Sequence, residues 1–179
     1  MQRVIYGVLL ITVLALSALP LASTEQVSAA NVLPKIQFDS ENYIGVVGSN
    51  ISVSVMISNA TGLFMYQVFI DFRPDLLNVE SITQGNFLNR GGAIPTFWVP
   101  ENGTPGLIKA FCSLARGNPP ASGNGELFKI TFSFKGTGIT VLHLHDVHLY
   151  DQFASEMLFT TEDSVAMGGS STNRWRIFI

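Results

Sequence analysis

Apolar and polar residues alternate along most of this chain. In Gly62-Leu63-Phe64-Met65-Tyr66-Gln67-Val68-Phe69-Ile70-Asp71-Phe72, the side chains of Phe64, Tyr66, Val68, Ile70 and Phe72 fall on one side. Met65, Gln67, Phe69 and Asp71 fall on the other, the period of a strand with one buried face. Pro74 lacks the N–H of a central ladder, so the strand ends before it; Asp75 opens a turn, and Leu76, Leu77 and Val79 resume burial. Residues 50–58 repeat the period with Ile51, Val53, Val55 and Ile57 inward and serines outward. Residues 126–135 repeat it with Phe128, Ile130, Phe132 and Phe134 inward. Further strands are predicted at 35–38, 43–47, 77–83, 107–114 and 163–167, with a short one open at 96–99. Residues 59–62 read as a turn, 84–106 as a loop-rich excursion, 117–125 as a loop and 168–172 as a flexible linker. In 139–150 the phase slips, because Val147 and Leu149 stand an odd step from Leu142 and Leu144; a β-bulge is predicted around His145-Asp146.

Strands at this spacing, 16 Gly, 8 Pro and 13 Phe describe an all-β sandwich and exclude a helical bundle or a disordered chain. The formal charge of −3, with no basic run, excludes a nucleic-acid-binding face. Arg3, the apolar run 4–16 and the small residues Val27-Ser28-Ala29-Ala30 read as a signal peptide over 1–30, cut after Ala29 or Ala30. The alternative is an uncleaved anchor, and either way the domain is expected outside the cytoplasm, secreted or at the cell surface. Membrane contact is expected only through such an anchor or through a segment beyond this chain. The sandwich is assigned to 31–168 and a linker and tail to 169–179, the end Asn173-Arg174-Trp175-Arg176-Ile177-Phe178-Ile179 being too short to span a bilayer. Cys112 is the single cysteine, so no intrachain disulfide forms, and its apolar neighbours mark it as a small core hydrophobe.

Several segments stand in an order that resembles the cohesin domains. They are the Val/Ser strand, the Gly-Leu-aromatic start of the next, the corner Phe72-Arg73-Pro74-Asp75-Leu76-Leu77, and Gly106-Leu107-Ile108. Gly125-Glu126-Leu127-Phe128-Lys129-Ile130-Thr131-Phe132 and Asp146-Val147-His148-Leu149-Tyr150-Asp151 complete the set, so the resemblance covers residues 33–167. It implies a nine-stranded jelly-roll β-sandwich, one face of which receives a calcium-loaded dockerin module of another protein. The setting implied is an extracellular, polysaccharide-degrading or cell-surface assembly. It also implies that Gln67, Phe69 and Asp71 meet the partner, followed by Lys109 and Phe111 of the 107–113 strand. Phe69 either stands exposed in a polar rim, as interface anchors do, or lies under the 84–106 excursion. Arg73 departs from the family's frequent Asp at the corner, a change that alters a surface pair.

A carbohydrate-binding module is the rival reading, with Trp98 and Tyr150 as its main aromatics and Phe97 and Phe153 beside them. Trp98 is otherwise expected to pack beneath Pro95 and Pro100. His143 and His145 share a strand face at a spacing that can chelate zinc or copper, but solvent-facing strand histidines explain them as well; no metal or cofactor is expected. The sequence carries no nucleophile elbow, no His-Glu-x-x-His and no phosphate loop, so a binding protein rather than an enzyme is expected. Asn50, Asn59 and Asn102 open glycosylation sequons.

Overall fold

The computed structural model describes residues 32–99 and 104–170. The expected signal peptide and its expected cleavage point, Asn102 and the tail from residue 171 lie outside them. Eleven strands form among the described residues and pack as two sheets. They are β1 (Lys35–Phe38), β2 (Asn42–Val46), β3 (Asn50–Leu63), β4 (Met65–Asp71), β5 (Leu77–Gln84) and β6 (Thr96–Trp98). β7 (Leu107–Ser113), β8 (Ala121–Phe134), β9 (Gly138–Tyr150), β10 (Thr160–Glu162) and β11 (Ser164–Gly169) follow. One sheet has the order β10-β1-β3-β8-β5, the other β2-β11-β9-β4-β7-β6.

The architecture is the expected all-β sandwich, with eleven strands where nine are anticipated. The open strand at 96–99 forms as β6, and β10 is added where the sequence shows no alternation. β10 exists because the chain returns alongside β1, pairing parallel at Lys35 with Thr160. β11 likewise pairs parallel with β2. Gly168 and Gly169 therefore belong to a strand, not a linker: a Cβ on Gly168 would meet Gly136 O at 2.4 Å, so the small residue permits the close approach.

Two turn readings are corrected in the same way. Asn59 (φ 55°) and Gly62 (φ 76°) do adopt the left-handed conformation of turns. They do so as register shifts within β3, which runs on to Leu63 against the first residues of β8, Ala60 opposite Gly123 and Leu63 opposite Ala121. Half of the 117–125 loop is thereby strand. Further register shifts fall between Val55 and Met56 against β8, between Val79 and Ser81 of β5, and between Gln67 and Phe69 against β9.

The core lies where the inward rows of β4 and β8 meet. Tyr66, Val68 and Ile70 face Phe128, Ile130 and Phe132, all at most 1% exposed. Tyr66 stacks on Phe128 at 6.3 Å and Phe72 meets Phe132 edge-on at 5.1 Å. Full burial of each such side chain contributes about 1.5–3 kcal/mol. Leu127 interrupts the row yet is also buried, because a bulge between Glu126 and Phe128 frees its carbonyl, which accepts bonds from Tyr66 Oη (2.8 Å) and the Gly85 N–H (2.9 Å). The Phe72–Leu77 corner ties the sheets together. The Arg73 N–H donates to Thr140 Oγ1 of β9 at 2.9 Å, and Phe72 N–H donates to Gly106 O at 2.8 Å. Gly106 sits at φ 86° with its missing Cβ 2.6 Å from Phe72 O, so a side chain there would break the contact. Arg73 pairs on the surface with Asp75 at 2.6 Å, and that pairing holds the Asp75 carboxyl below its ordinary range.

Candidate functional site

The outward row of β4 projects from the middle of the six-stranded sheet, with β7 on one side and β9 on the other. Phe69 is opposite Lys109 and His145, Gln67 opposite Phe111 and His148, and Asp71 opposite Leu107 and His143. The five residues expected to meet a partner, Gln67, Phe69, Asp71, Lys109 and Phe111, are therefore brought onto one face.

Their rings form a continuous row across four strands. Trp98 of β6 packs on Phe111 of β7 at 5.2 Å, Phe111 meets Phe69 of β4 edge-on at 5.7 Å, and Phe69 meets His145 of β9 edge-on at 5.8 Å. At the usual strand spacing this row is about 14 Å long. Lys109 Nζ stands 5.2 Å from the Phe69 ring centroid, a cation–π contact that orients both side chains. Phe69 is half-buried, and the rings that hold it come from β7 and β9; the ring supplied by the 84–106 excursion, Trp98, packs on Phe111 instead. Beside the row a cleft of about 1120 Å³ opens between β5 and β7, bounded by Trp98, Phe111, Lys109, Val79 and Glu80.

Trp98 is 57% exposed, so its expected burial within the loop is corrected, Pro100 lying outside the described residues: pairing of β6 with β7 turns its ring out onto the sheet face. Phe97, one residue earlier, turns inward onto Phe128 at 6.2 Å and is lost as a sugar-binding candidate. Tyr150 stacks on His148 at 6.1 Å, and Phe153 is 77% exposed in the turn after β9. Trp98 and Phe111 are tilted by 36° and Phe69 stands nearly perpendicular to Phe111, so the row is not the flat platform on which a sugar ring stacks.

The bulge is present at the predicted place. Between the pairs Gln67–His148 and Phe69–His145, one residue of β4 opposes two of β9, and Asp146 takes φ 43°. Gln67 Nε2 donates to the freed Asp146 carbonyl at 3.1 Å. The extra residue returns His148 to the face that carries His143 and His145. The rings of His143 and His145 stack in parallel at 5.8 Å, each already facing a carboxylate, and among the described residues no three His, Cys, Asp or Glu side chains gather as a metal set. Sequence reasoning missed His145 as the neighbour of Phe69, and also Asp163 and Glu156 as partners of the histidines. The bulge was legible as a phase slip, but the β4–β9 pairing joins residues more than 70 positions apart.

Asn50 and Asn59 are both exposed, at the start of β3 and at its first bulge. Cys112 is 2% exposed, and burial pushes its thiol up to about 11, only partly offset by the neighbouring Tyr66 hydroxyl. Since the thiolate is the reactive form, the folded protein should fail to react with an aromatic disulfide reagent at about pH 8 and react fully once unfolded. Rapid labelling of the native protein would show that the strand carrying Cys112 opens.

The described residues thus form a two-sheet sandwich that presents an aromatic row on an open sheet face. A model of the cohesin domain matches residues 35–158, and the chain belongs to the cohesin family. Among curated proteins no sequence matches. Solved structures with a similar fold include a non-cellulosomal cohesin from the archaeon Archaeoglobus fulgidus, 22% identical with a TM-score of 0.62, over 79% of this chain and 94% of that one. The sixth cohesin of scaffoldin B from Acetivibrio cellulolyticus, solved in complex with a dockerin, is 14% identical with a TM-score of 0.65, over 77% and 100%. A cohesin from Clostridium acetobutylicum is 19% identical with a TM-score of 0.63, over 79% and 94%.

Proposed function

We propose that this chain is a secreted cohesin module that docks a calcium-loaded, dockerin-type protein module on the outer face of β6-β7-β4-β9. The assembly is extracellular, polysaccharide-degrading or attached to a cell surface, and the role is binding rather than catalysis. The observation that carries the reading is the Trp98–Phe111–Phe69–His145 row, large rings on a rigid sheet, ringed by Gln67, Asp71 and Lys109. Anchors of this kind dominate protein interfaces because their rings desolvate well and lose few rotamers on binding. Solved relatives captured with dockerins support the class of partner.

The exposure of Trp98 supports a second reading, direct binding of polysaccharide with Tyr150 as a further contact. One experiment separates the two. The full chain is immobilised and exposed to the secreted proteins of its source organism with calcium or with a chelator, and separately to insoluble polysaccharide. The docking reading expects a protein retained only with calcium and carrying duplicated Asp-rich loops. Retention on polysaccharide regardless of chelator, lost in Trp98→Ala, would replace it with the sugar-binding reading.

A further inference from the structure

All three histidines of the chain lie on the outward face of β9, and each meets an acid from elsewhere. His143 Nδ1 is 2.6 Å from Asp163 Oδ2, while Asp163 Oδ1 accepts the Leu144 N–H at 2.8 Å, which fixes the carboxylate. His148 Nδ1 is 2.6 Å from Glu156 Oε1. His145 sits between two acids, Nε2 3.3 Å from Asp71 Oδ2 and Nδ1 3.5 Å from Asp146 Oδ2. Its Nε2 is buried and, through poor alignment with Asp71, makes no hydrogen bond. The charged groups facing this row thus come from every neighbouring element: Asp71 from β4, Asp146 from the bulge, Glu156 from the segment after β9, and Asp163 from the β10–β11 link. From β7, Lys109 reaches the row through the Phe69 ring.

A carboxylate at Nδ1 requires the proton there, so neutral His143 and His148 each keep Nε2 as a lone-pair acceptor. With neutral imidazoles the row carries four carboxylates against one ammonium and offers acceptors to whatever docks. Imidazole changes charge between about pH 5 and 8. Three added protons would cancel three of the carboxylate charges and turn the Nε2 acceptors into donors. Ring stacking brings two of those positive charges together, with Asp71 opposite one of them and within reach of the other.

We propose that this row is a proton-sensitive docking stripe for a basic partner surface. Lys or Arg side chains of the partner engage Asp71, Asp146, Glu156 and Asp163 at neutral pH, and protonation of His143, His145 and His148 lets the imidazoliums displace them. The inference rests on the docking reading above and adds to it the partner's charge and its release on acidification. By linkage, a cation that competes with the imidazoliums must also expel their protons when it binds.

The test uses the full chain and the protein it captures at about pH 7.5, purified and titrated calorimetrically in calcium at about pH 7.5 and about pH 5.5. The expected result is an affinity lower by about tenfold or more in acid, and proton release on binding at about pH 6.5, seen as an enthalpy that depends on the buffer. His143→Gln/His145→Gln/His148→Gln, checked for an unchanged fold by its melting curve, should shrink the pH effect to less than about twofold. Asp163→Asn alone should weaken binding at about pH 7.5 and narrow the difference. If Phe69→Ala abolishes binding but wild-type affinity is the same at both pH values, docking stands and the stripe is overturned. A pH effect that persists in the triple variant belongs to the partner and also overturns it. If no protein is captured, or Phe69→Ala binds as well as wild type, the docking reading itself fails and the stripe with it.

Discussion

Phe69→Ala should lower affinity for the docked protein module by about thirtyfold or more, ~2 kcal/mol, while the domain stays folded. The asymmetry comes from where the ring stands. It is half-buried at the centre of the outward face, meeting Phe111 and His145 edge-on and Lys109 through its π-face. Removing it leaves a hole between β7 and β9 that a partner would have to hydrate or fill. It also frees Lys109 and His145 to take other rotamers, so their ordering is lost with it. The cost to folding is smaller, about 1 kcal/mol, because aromatic pairs on an open face contribute about 0.5–1.5 kcal/mol each beyond their area and the freed groups reach water. Lys109→Ala, at the end of a flexible stem, should weaken binding less than Phe69→Ala. Surface-immobilised binding with the partner titrated in calcium measures both variants. An affinity unchanged in Phe69→Ala would remove this face as the interface.

Phe128→Ala should have the largest effect on stability, about 3–5 kcal/mol, enough to lower the melting temperature by about 10 °C or more. Phe128 is fully buried between the sheets, stacked on Tyr66 and touching Phe97. The surrounding strands cannot collapse into the vacated space. β8 is held by β3 on one edge and β5 on the other, and the neighbouring Leu127 carbonyl is committed to Tyr66 and Gly85. Trp98→Ala provides the contrast, since a ring 57% exposed at a short edge strand should cost under about 1 kcal/mol. Chemical denaturation of the two variants checks the order. A loss at Phe128 no larger than at Trp98 would mean that the core repacks around the missing ring.

Both effects trace back to the alternation in the chain, and it is there that sequence reading reached furthest. A period of two needs no knowledge of partners: a residue's face follows from its parity within the strand. Parity alone placed Tyr66, Val68, Ile70, Phe128, Ile130, Phe132 and Phe134 inside and Gln67, Phe69 and Asp71 outside, and the odd step between Leu144 and Val147 located the bulge. Parity has no information about which strand lies alongside. Only the tertiary structure put β9 next to β4, so that His145 touches Phe69, and brought Asp163 and Glu156 to His143 and His148. It also decided the local signals that pairing could override. Asn59 and Gly62 became bulges because β8 continues beside them, β10 formed because β1 offered an edge, and Trp98 turned outward because β7 fixed the register of β6. The physical reason is the range of the forces. Side-chain alternation and backbone preference act within a few residues, while strand order and the meeting of charged groups depend on contacts between distant parts of the chain that form only as the sheets close.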